Sequence, residues 1–261
     1  MDQIKGQVAI VAGGGSGLGE GIARRFANEG ALVMIVDPVD GAADKVAVSI
    51  GKSAMAVCAD MRDEETPRRV AQLAVDSHGR IDILVNAQFP PSQVACPETM
   101  DLARFRSLID STAIAALGAS QAVYPQMRRQ GGGRIINVGS PYGATAHEAI
   151  SDAVTADGAL IALTRALGYE WARHNILVNF LQAGAADIPA FHDWRDQQEG
   201  DRVDRLIAAK PMPRLADPVG DIGGAAMFLV SDEGCFIVGH RIMADGGQHL
   251  SAAVFEPGTK P

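Results

Sequence analysis

The sequence predicts an α/β fold in which one doubly wound parallel sheet of seven strands carries helices on both faces. Three observations predict it. Short apolar runs rich in β-branched residues alternate with segments whose apolar residues recur at helical spacing. A glycine cluster follows the first apolar run directly, as at a strand that turns into a helix beside a ligand. No linker or repeat interrupts this pattern, so we expect a single domain over residues 1–261.

The composition is that of an ordinary globular protein, with 47% hydrophobic and 21% charged residues. The net charge of -8 disfavours nucleic acid and anionic membrane surfaces as partners. No apolar run approaches the ~18 residues of a membrane span, and no signal peptide is visible, so we expect a cytoplasmic protein. The six histidines and three cysteines lack metal-ligand spacing, which predicts no metal site and cysteines that act as small core residues.

The first βαβ unit occupies the N-terminal part of the chain. An apolar strand is predicted over 7–12, and a helix follows the glycine cluster and ends at Gly30. A second strand over 31–36 ends at Asp37. Such crossovers between parallel strands are right-handed almost without exception.

The same alternation continues to the C-terminus. We predict further strands over 53–59, 81–85, 134–138, 176–181 and 235–243, and further helices over 64–78, 101–130, 151–174 and 218–230. The remaining stretch, 185–215, is polar and interrupted by prolines. It predicts an excursion that covers the ligand crevice at the carboxyl ends of the strands.

The glycine cluster has the spacing of a dinucleotide-binding turn. Gly13, Gly17 and Gly19, with Leu18 between the last two, leave few side chains where a pyrophosphate must approach the backbone. The helix that follows offers unpaired N–H groups to such an anion. The alternative interpretation is a glycine-rich turn that serves close packing alone.

Polar residues end three of the predicted strands beside this turn. Asp37 is placed to accept the adenosine ribose hydroxyls and repel a 2′-phosphate, which favours NAD over NADP. Asp60 and Met61 end the third strand, where an adenine would lie, and Asn86 ends the fourth. The alternative for the two aspartates is a solvated turn at the end of a strand.

Several motifs in a fixed order make the chain resemble the short-chain dehydrogenase/reductase family over nearly its whole length. The residues that carry the resemblance are the glycine turn, Asp60, Ile83-Leu84-Val85-Asn86, Gly133 to Ser140, Leu163-Thr164-Arg165, Ile176-Leu177-Val178-Asn179, Phe228 to Asp232 and Asp245-Gly246-Gly247. The resemblance implies a Rossmann-type fold, an NAD cofactor and oxidoreductase chemistry.

The resemblance also implies a set of catalytic residues, and this chain departs from it. The family uses a Tyr and a Lys in a Y-x-x-x-K pair, a Ser and an Asn. Only the Ser is retained, as Ser140; Val154 is aligned with the Tyr and Gly158 with the Lys, while Thr112 takes the place of the Asn. With three tyrosines and five lysines in the chain, no Y-x-x-x-K occurs anywhere.

Two further departures affect the nicotinamide end. Phe89 stands where a family glycine permits close approach of the cofactor, and Ile188 replaces the threonine that usually holds the carboxamide. The adenosine half of an NAD site is therefore better supported than the nicotinamide half.

Three functions are compatible with this pattern. The one we favour from the sequence is a non-catalytic subunit that assembles with an active homologous subunit, as a dimer or hetero-tetramer, in an NAD-dependent alcohol or hydroxyacyl-CoA dehydrogenase. The chain is similar in kind to the inactive partner in heteromeric family members such as hydroxyphenylmethyl-succinyl-CoA dehydrogenase. The alternatives are an atypical active oxidoreductase that uses Ser140 with Tyr142 or His147, and a dinucleotide-binding or sensing module without chemistry.

Overall fold

The computed structural model describes residues 3–88, 95–140, 150–196 and 200–250. Within these ranges seven parallel strands form one sheet in the order β3-β2-β1-β4-β5-β6-β7. The strands are β1 Val8–Ala12, β2 Leu32–Asp37, β3 Ala54–Cys58, β4 Ile83–Asn86, β5 Gly133–Gly139, β6 Ile176–Ala183 and β7 Arg241–Ala244. The predicted fold class is confirmed.

Nine α-helices accompany the strands in the described ranges. They are α1 Gly17–Asn28, α2 Ala42–Ile50, α3 Thr66–His78, α4 Leu102–Ile109, α5 Ala115–Arg129, α6 Ser151–Trp171, α7 Pro189–Asp196, α8 Gly200–Ala208 and α9 Gly223–Val230. Single π-helical segments, Asp110–Ile114 and Pro218–Ile222, precede α5 and α9. No helix in these ranges has the length and apolar character needed to cross a membrane.

The five inner strands are buried on both faces because helices cover each side of the sheet, whereas β3 and β7 are partly exposed. On one side Ile22 and Phe26 of α1 pack with residues of α2 and α9. On the other, Val70 of α3 and Val123 of α5 pack with α6. Each such apolar side chain stabilises the fold by roughly 1.5–3 kcal/mol relative to solvent exposure. The continuous apolar strands predicted from the sequence follow from this double covering.

Successive strands are added on one side of β1 up to β3 and on the other side from β4 onward. The connections after β1 and β4 therefore leave in opposite directions, which creates a crevice at the carboxyl ends of these two strands. The first three strands run outward from β1 and the last four run outward from β4. The ends are level, since Ala12 pairs with Asn86 and Asn86 pairs with Asn137. Ligands of open α/β sheets bind at such a switch point, so the fold places the glycine turn and Ser140 along one edge.

The helix predicted over 101–130 is interrupted by the π segment Asp110–Ile114. The hydroxyls of Ser111 and Thr112 bond to the carbonyls of Ser107 and Leu108, each one turn earlier. Side chains that bond back in this way compete with the regular helical ladder. π-bulges of this kind occur often at functional sites.

Three other predictions from the sequence are corrected. The 185–215 excursion contains two helices, α7 and α8, where only a polar stretch was expected. The last strand covers Arg241–Ala244, not 235–243, because a 3₁₀ turn and a glycine of positive φ, Gly239, occupy the preceding residues. The three cysteines are exposed free thiols rather than core residues.

Candidate functional site

The glycine turn joins β1 to α1 at the crevice. The amides of Gly13 and Gly14 both donate to the carbonyl of Val36, at 2.8 and 3.2 Å, which holds the turn against β2. Gly13 and Gly17 have φ of +77° and +57°, in the left-handed region that disfavours side chains. A Cβ at Gly19 would overlap the carbonyl oxygen of Gly13. The glycines are therefore required by the backbone path.

The N-terminus of α1 faces the crevice without a side-chain cap. Ser16, the residue before the helix, makes no capping hydrogen bond with its side chain. The first amides of a helix lack partners within it, so they can receive an anionic group such as a pyrophosphate. The turn thus fits the phosphate part of a dinucleotide. The side chain of Ile188 lies close to Gly17 of this turn. Its Cδ1 would lie 3.6 Å from a Cβ placed on Gly17.

Asp37 is directed at the glycine turn, as the sequence predicts. Its two carboxylate oxygens accept from the amides of Gly15 and Val39, each at 3.0 Å. The side chain is buried. A carboxylate oxygen accepts more than one hydrogen bond, so both oxygens keep capacity for ribose hydroxyls. Asp37 and the turn together fit the adenosine half of the cofactor.

Asp60 also lies at this edge, but an arginine engages it. The Arg62 side chain forks onto the carboxylate, with Nε 2.9 Å from each oxygen, and the Arg62 backbone amide donates as well. Arg62 thereby lowers the pKa of Asp60, against the raising effect of partial burial. The side chain of Met61 is buried in the core, so only its backbone is available to contact an adenine.

The amide of Asn86 is part of a polar chain that crosses the sheet. Asn86 Nδ2 donates to Asn137 Oδ1 at 2.8 Å, and Asn137 Nδ2 donates to Thr164 Oγ1 at 2.9 Å. All three residues are buried. Asn86 therefore couples β4 to β5 and α6, which fixes the strand ends that line the crevice.

Ser140 lies immediately after β5, and its hydroxyl is bound to a buried carboxylate that sequence reasoning missed. Ser140 Oγ donates to Asp157 Oδ2 at 2.6 Å, and the Ser140 amide donates to the same oxygen at 3.2 Å. Asp157 is on α6 and only 3% exposed. An O–H···O distance of this length is typical of a charge-assisted hydrogen bond.

This contact does not involve the two positions of α6 that the sequence aligns with the family Tyr and Lys. Gly158, aligned with the family Lys, is exposed, and a Cβ there would meet nothing within 4 Å. The position that contacts Ser140 is 157, and the position one turn earlier is Ala153 rather than Val154. Neither Ala153 nor Val154 carries an acid or a base. The small residues on both sides of Asp157 give no sequence pattern that indicates which position of α6 contacts Ser140.

Thr112 is buried within the π segment, and its hydroxyl is used locally. It donates to the carbonyl of Leu108 at 2.8 Å. Nearby, Arg104 of α4 pairs with the fully buried carboxylate of Asp152 at 3.0 Å, which ties the start of α6 to α4. The other candidates for a proton donor, Tyr142 and His147, lie outside the described residues, as does Phe89.

A cavity of about 210 Å³ lies beside α8, at the ends of β6 and β7. Its charged lining residues include Lys210, Arg214 and Asp245. Burial lowers the pKa of Lys210, while the nearby Asp245 opposes this shift. The cavity lies between the last residues of the 185–215 excursion and the end of β7.

Comparison with known proteins agrees with this geometry. A family model described as enoyl-(acyl carrier protein) reductase matches residues 12–249. The chain is 31% identical to the oxidoreductase UcpA of Escherichia coli over 262 residues, which covers 97% of this chain and 98% of that protein. It is 30% identical to L-fucose dehydrogenase of Bos taurus, with 94% and 90% of the two chains covered.

Solved structures show the same similarity. The 3-ketoacyl-(acyl-carrier-protein) reductase of Brucella melitensis, complexed with NADH, superposes with a TM-score of 0.84 at 30% identity, covering 94% of this chain and 99% of that one. A short chain dehydrogenase/reductase family protein gives a TM-score of 0.84 at 29% identity over 95% and 100% of the chains. The motifs, the fold and these matches together show that the chain belongs to the short-chain dehydrogenase/reductase family.

Proposed function

We propose that this protein is an NAD-dependent oxidoreductase that interconverts an alcohol and a carbonyl at Ser140, without the tyrosine and lysine of its family. One observation carries the proposal. The glycine turn with Asp37 and the hydrogen-bonded pair of Ser140 and Asp157 lie along the carboxyl edge of the same sheet. Cofactor-binding and proton-handling groups thus share one crevice.

The cofactor half of the proposal rests on Asp37 and the turn. Asp37 accepts the adenosine ribose hydroxyls, and the uncapped amides of α1 receive the pyrophosphate. The buried negative charge of Asp37 disfavours a 2′-phosphate, which selects NAD. When bound, the cofactor supplies the hydride acceptor or donor. The chain's own residues orient it and exclude water.

The substrate half rests on Ser140 and on what the relatives are called. Ser140 is half-buried at the end of β5 and places a hydroxyl where a substrate oxygen would be polarised. Relatives carry the names L-fucose dehydrogenase and 3-ketoacyl-(acyl-carrier-protein) reductase. A secondary alcohol, either free or on a hydroxyacyl thioester, is the substrate class that follows.

Titration and turnover test this proposal together. We expect isothermal titration calorimetry to show NAD binding at least tenfold tighter than NADP, because Asp37 faces the ribose. We also expect the purified chain to form NADH from at least one member of a panel of sugar alcohols and hydroxyacyl-CoA thioesters. Binding of neither dinucleotide would contradict the proposal.

A second candidate function is the one favoured by the sequence, a non-catalytic subunit paired with an active homologous chain. The observation that favours it is the loss of acid and base at positions 153, 154 and 158 of α6. Strand β7, at one edge of the described sheet, is where we would place such a partner. Exposed apolar side chains lie on and near that strand: Phe236 at 99%, Tyr169 at 85%, Val238 at 41% and Met243 at 38%.

Purification from the native source separates the two candidates. Recovery of a hetero-oligomer with a second family member, in which only that member turns over substrate, would establish the non-catalytic subunit. NAD binding without turnover in any assembly would instead indicate a sensing module. The cytoplasmic location is part of the same proposal, and the three free thiols fit a reducing compartment.

A further inference from the structure

The carboxylate that contacts Ser140 has an unusual setting. Asp157 is almost wholly buried, at 3% exposure, on a helix packed against the sheet. Burying a carboxylate costs free energy unless hydrogen bonds offset it. Ser140 supplies hydrogen bonds to both carboxylate oxygens, since its hydroxyl donates to Oδ2 and its amide lies 3.2 Å from Oδ2 and 3.4 Å from Oδ1. The carboxylate is therefore held against the one catalytic residue of the family that the chain retains.

Other charged groups nearby are engaged elsewhere. Asp152, on the same helix, is paired with Arg104 of α4 at 3.0 Å and does not share the Ser140 contact. Ala153 lies one helical turn before Asp157 on α6. Its side chain is a methyl group, so this position supplies no phenol. Among the described residues, the ionisable side chain that hydrogen-bonds to Ser140 Oγ is therefore Asp157.

We infer that Asp157 is the proton acceptor of an alcohol oxidation, with Ser140 as the hydroxyl through which the proton passes. The inference rests on the proposed function and names its base. In the oxidation direction the carboxylate accepts the proton of the alcohol, and in the reverse direction the protonated acid would return it to the carbonyl oxygen.

The step balances in atoms and electrons. The substrate O–H bond breaks, and its proton goes to Ser140 Oγ while Ser140 gives its own proton to Asp157 Oδ2. The C–H bond of the carbon that carries the hydroxyl breaks, and its hydride would go to the oxidised dinucleotide. The alcohol is oxidised by two electrons to a carbonyl, and the dinucleotide is reduced. After the carbonyl product leaves, the proton returns from Asp157 through Ser140 Oγ, which is half-buried, to solvent in the crevice.

A purely structural role is the competing explanation, because the Asp157 carboxylate also binds the Ser140 amide. The substitution Asp157→Asn separates the two roles. An amide oxygen can still accept from the Ser140 amide and hydroxyl, so the strand end is retained, but an amide cannot take up a proton at neutral pH. Asp157→Glu restores the base with one more methylene.

The experiment compares wild type, Asp157→Asn, Asp157→Glu and the control Asp44→Asn, which alters an exposed carboxylate on α2. We expect Asp157→Asn to lower kcat for alcohol oxidation by about 100-fold or more, as loss of a general base does. NAD affinity by calorimetry should stay within about threefold of wild type. Asp157→Glu should recover part of the loss, and Asp44→Asn should match wild type.

A second readout does not depend on turnover. Carbon NMR of protein labelled at the aspartate carboxyls should show Asp157 ionised at neutral pH, identified by the signal missing in Asp157→Asn. Its chemical shift should change in Ser140→Ala. A protonated Asp157 at neutral pH would overturn the inference, as would wild-type turnover in Asp157→Asn. In that last case the proposed oxidoreductase function would stand, whereas absent NAD binding would overturn that function instead.

Discussion

Asp37 is the residue on which the proposed preference for NAD depends. Its carboxylate is held by two backbone amides and aimed at the glycine turn, so it needs no rearrangement to accept ribose hydroxyls. We expect Asp37→Ala to weaken NAD binding by about tenfold or more, since hydrogen bonds to a charged group contribute ~1.5–3 kcal/mol each. Calorimetry would measure this, with Asp44→Ala as a control on α2. Unchanged affinity would place the adenosine elsewhere.

Gly19 tests the close packing of the turn. A methyl group there would overlap the Gly13 carbonyl, whereas at Gly118 of α5 the nearest atom to a Cβ is 3.6 Å away. We expect Gly19→Ala to lower the free energy of unfolding by about 1–3 kcal/mol. Gly118→Ala should raise it by about 0.5–1 kcal/mol. Urea denaturation of both variants measures the difference, and equal effects would contradict this account of the turn.

At the same scale, the proximity of Asp37 to the glycine turn could be predicted from the sequence, and the contact between Ser140 and Asp157 could not. The glycine turn and Asp37 follow from local spacing after a strand, and the structure brings them together. The role of Asp157 depends on which of two adjacent helix positions faces Ser140. Adjacent residues on a helix point about 100° apart. The small residues beside Asp157 give no pattern that shows which position faces Ser140.

Asp60 and Arg62 provide an element-scale test at the end of β3. Arg62 lowers the pKa of Asp60 in the folded protein, so this pair stabilises the fold above the unfolded pKa of about 3.9. That contribution is lost as the pH falls through the lower, folded value. Because Arg62 is half exposed, we expect Arg62→Gln to cost under about 1 kcal/mol at neutral pH.

The pH dependence distinguishes this pair from a general destabilisation. Urea denaturation at pH 7 should show Arg62→Gln less stable than wild type, and the difference should shrink as Asp60 becomes protonated at acid pH. A difference that stays constant across the range would mean that Arg62 acts through packing. Arg68→Gln is a suitable control, since Arg68 lies in an exposed pair on α3.

Element types were predictable where the apolar period was clear, and less so where polar side chains set the backbone. The five inner parallel strands are buried on both faces, and their apolar runs identify them. The π segment before α5 arises from hydroxyls that bond one turn back, a detail that a helical period does not contain. The helices within 185–215 are amphipathic but short, and the prolines there obscured them.

The assembly of the whole molecule is tested at β7. Among the described strands β7 lies at an edge of the sheet, and Phe236 beside it is almost fully exposed. Exposed apolar groups next to an unpaired strand edge are typical of an interface. We expect Phe236→Asp with Met243→Asp to reduce the mass measured by light scattering. Val48→Asp, at an 82% exposed apolar residue on α2, should not. A mass unchanged by the double variant would place the interface elsewhere.

The central claim is that this chain oxidises an alcohol with NAD through Ser140 and Asp157. The most direct measurement is single-turnover NADH formation by the purified wild-type chain and by Asp157→Asn, each saturated with NAD as verified by calorimetry. The account predicts a burst of NADH absorbance with wild type and a rate at least about 100-fold lower with Asp157→Asn. Equal rates in the two proteins, at equal NAD occupancy, would contradict it.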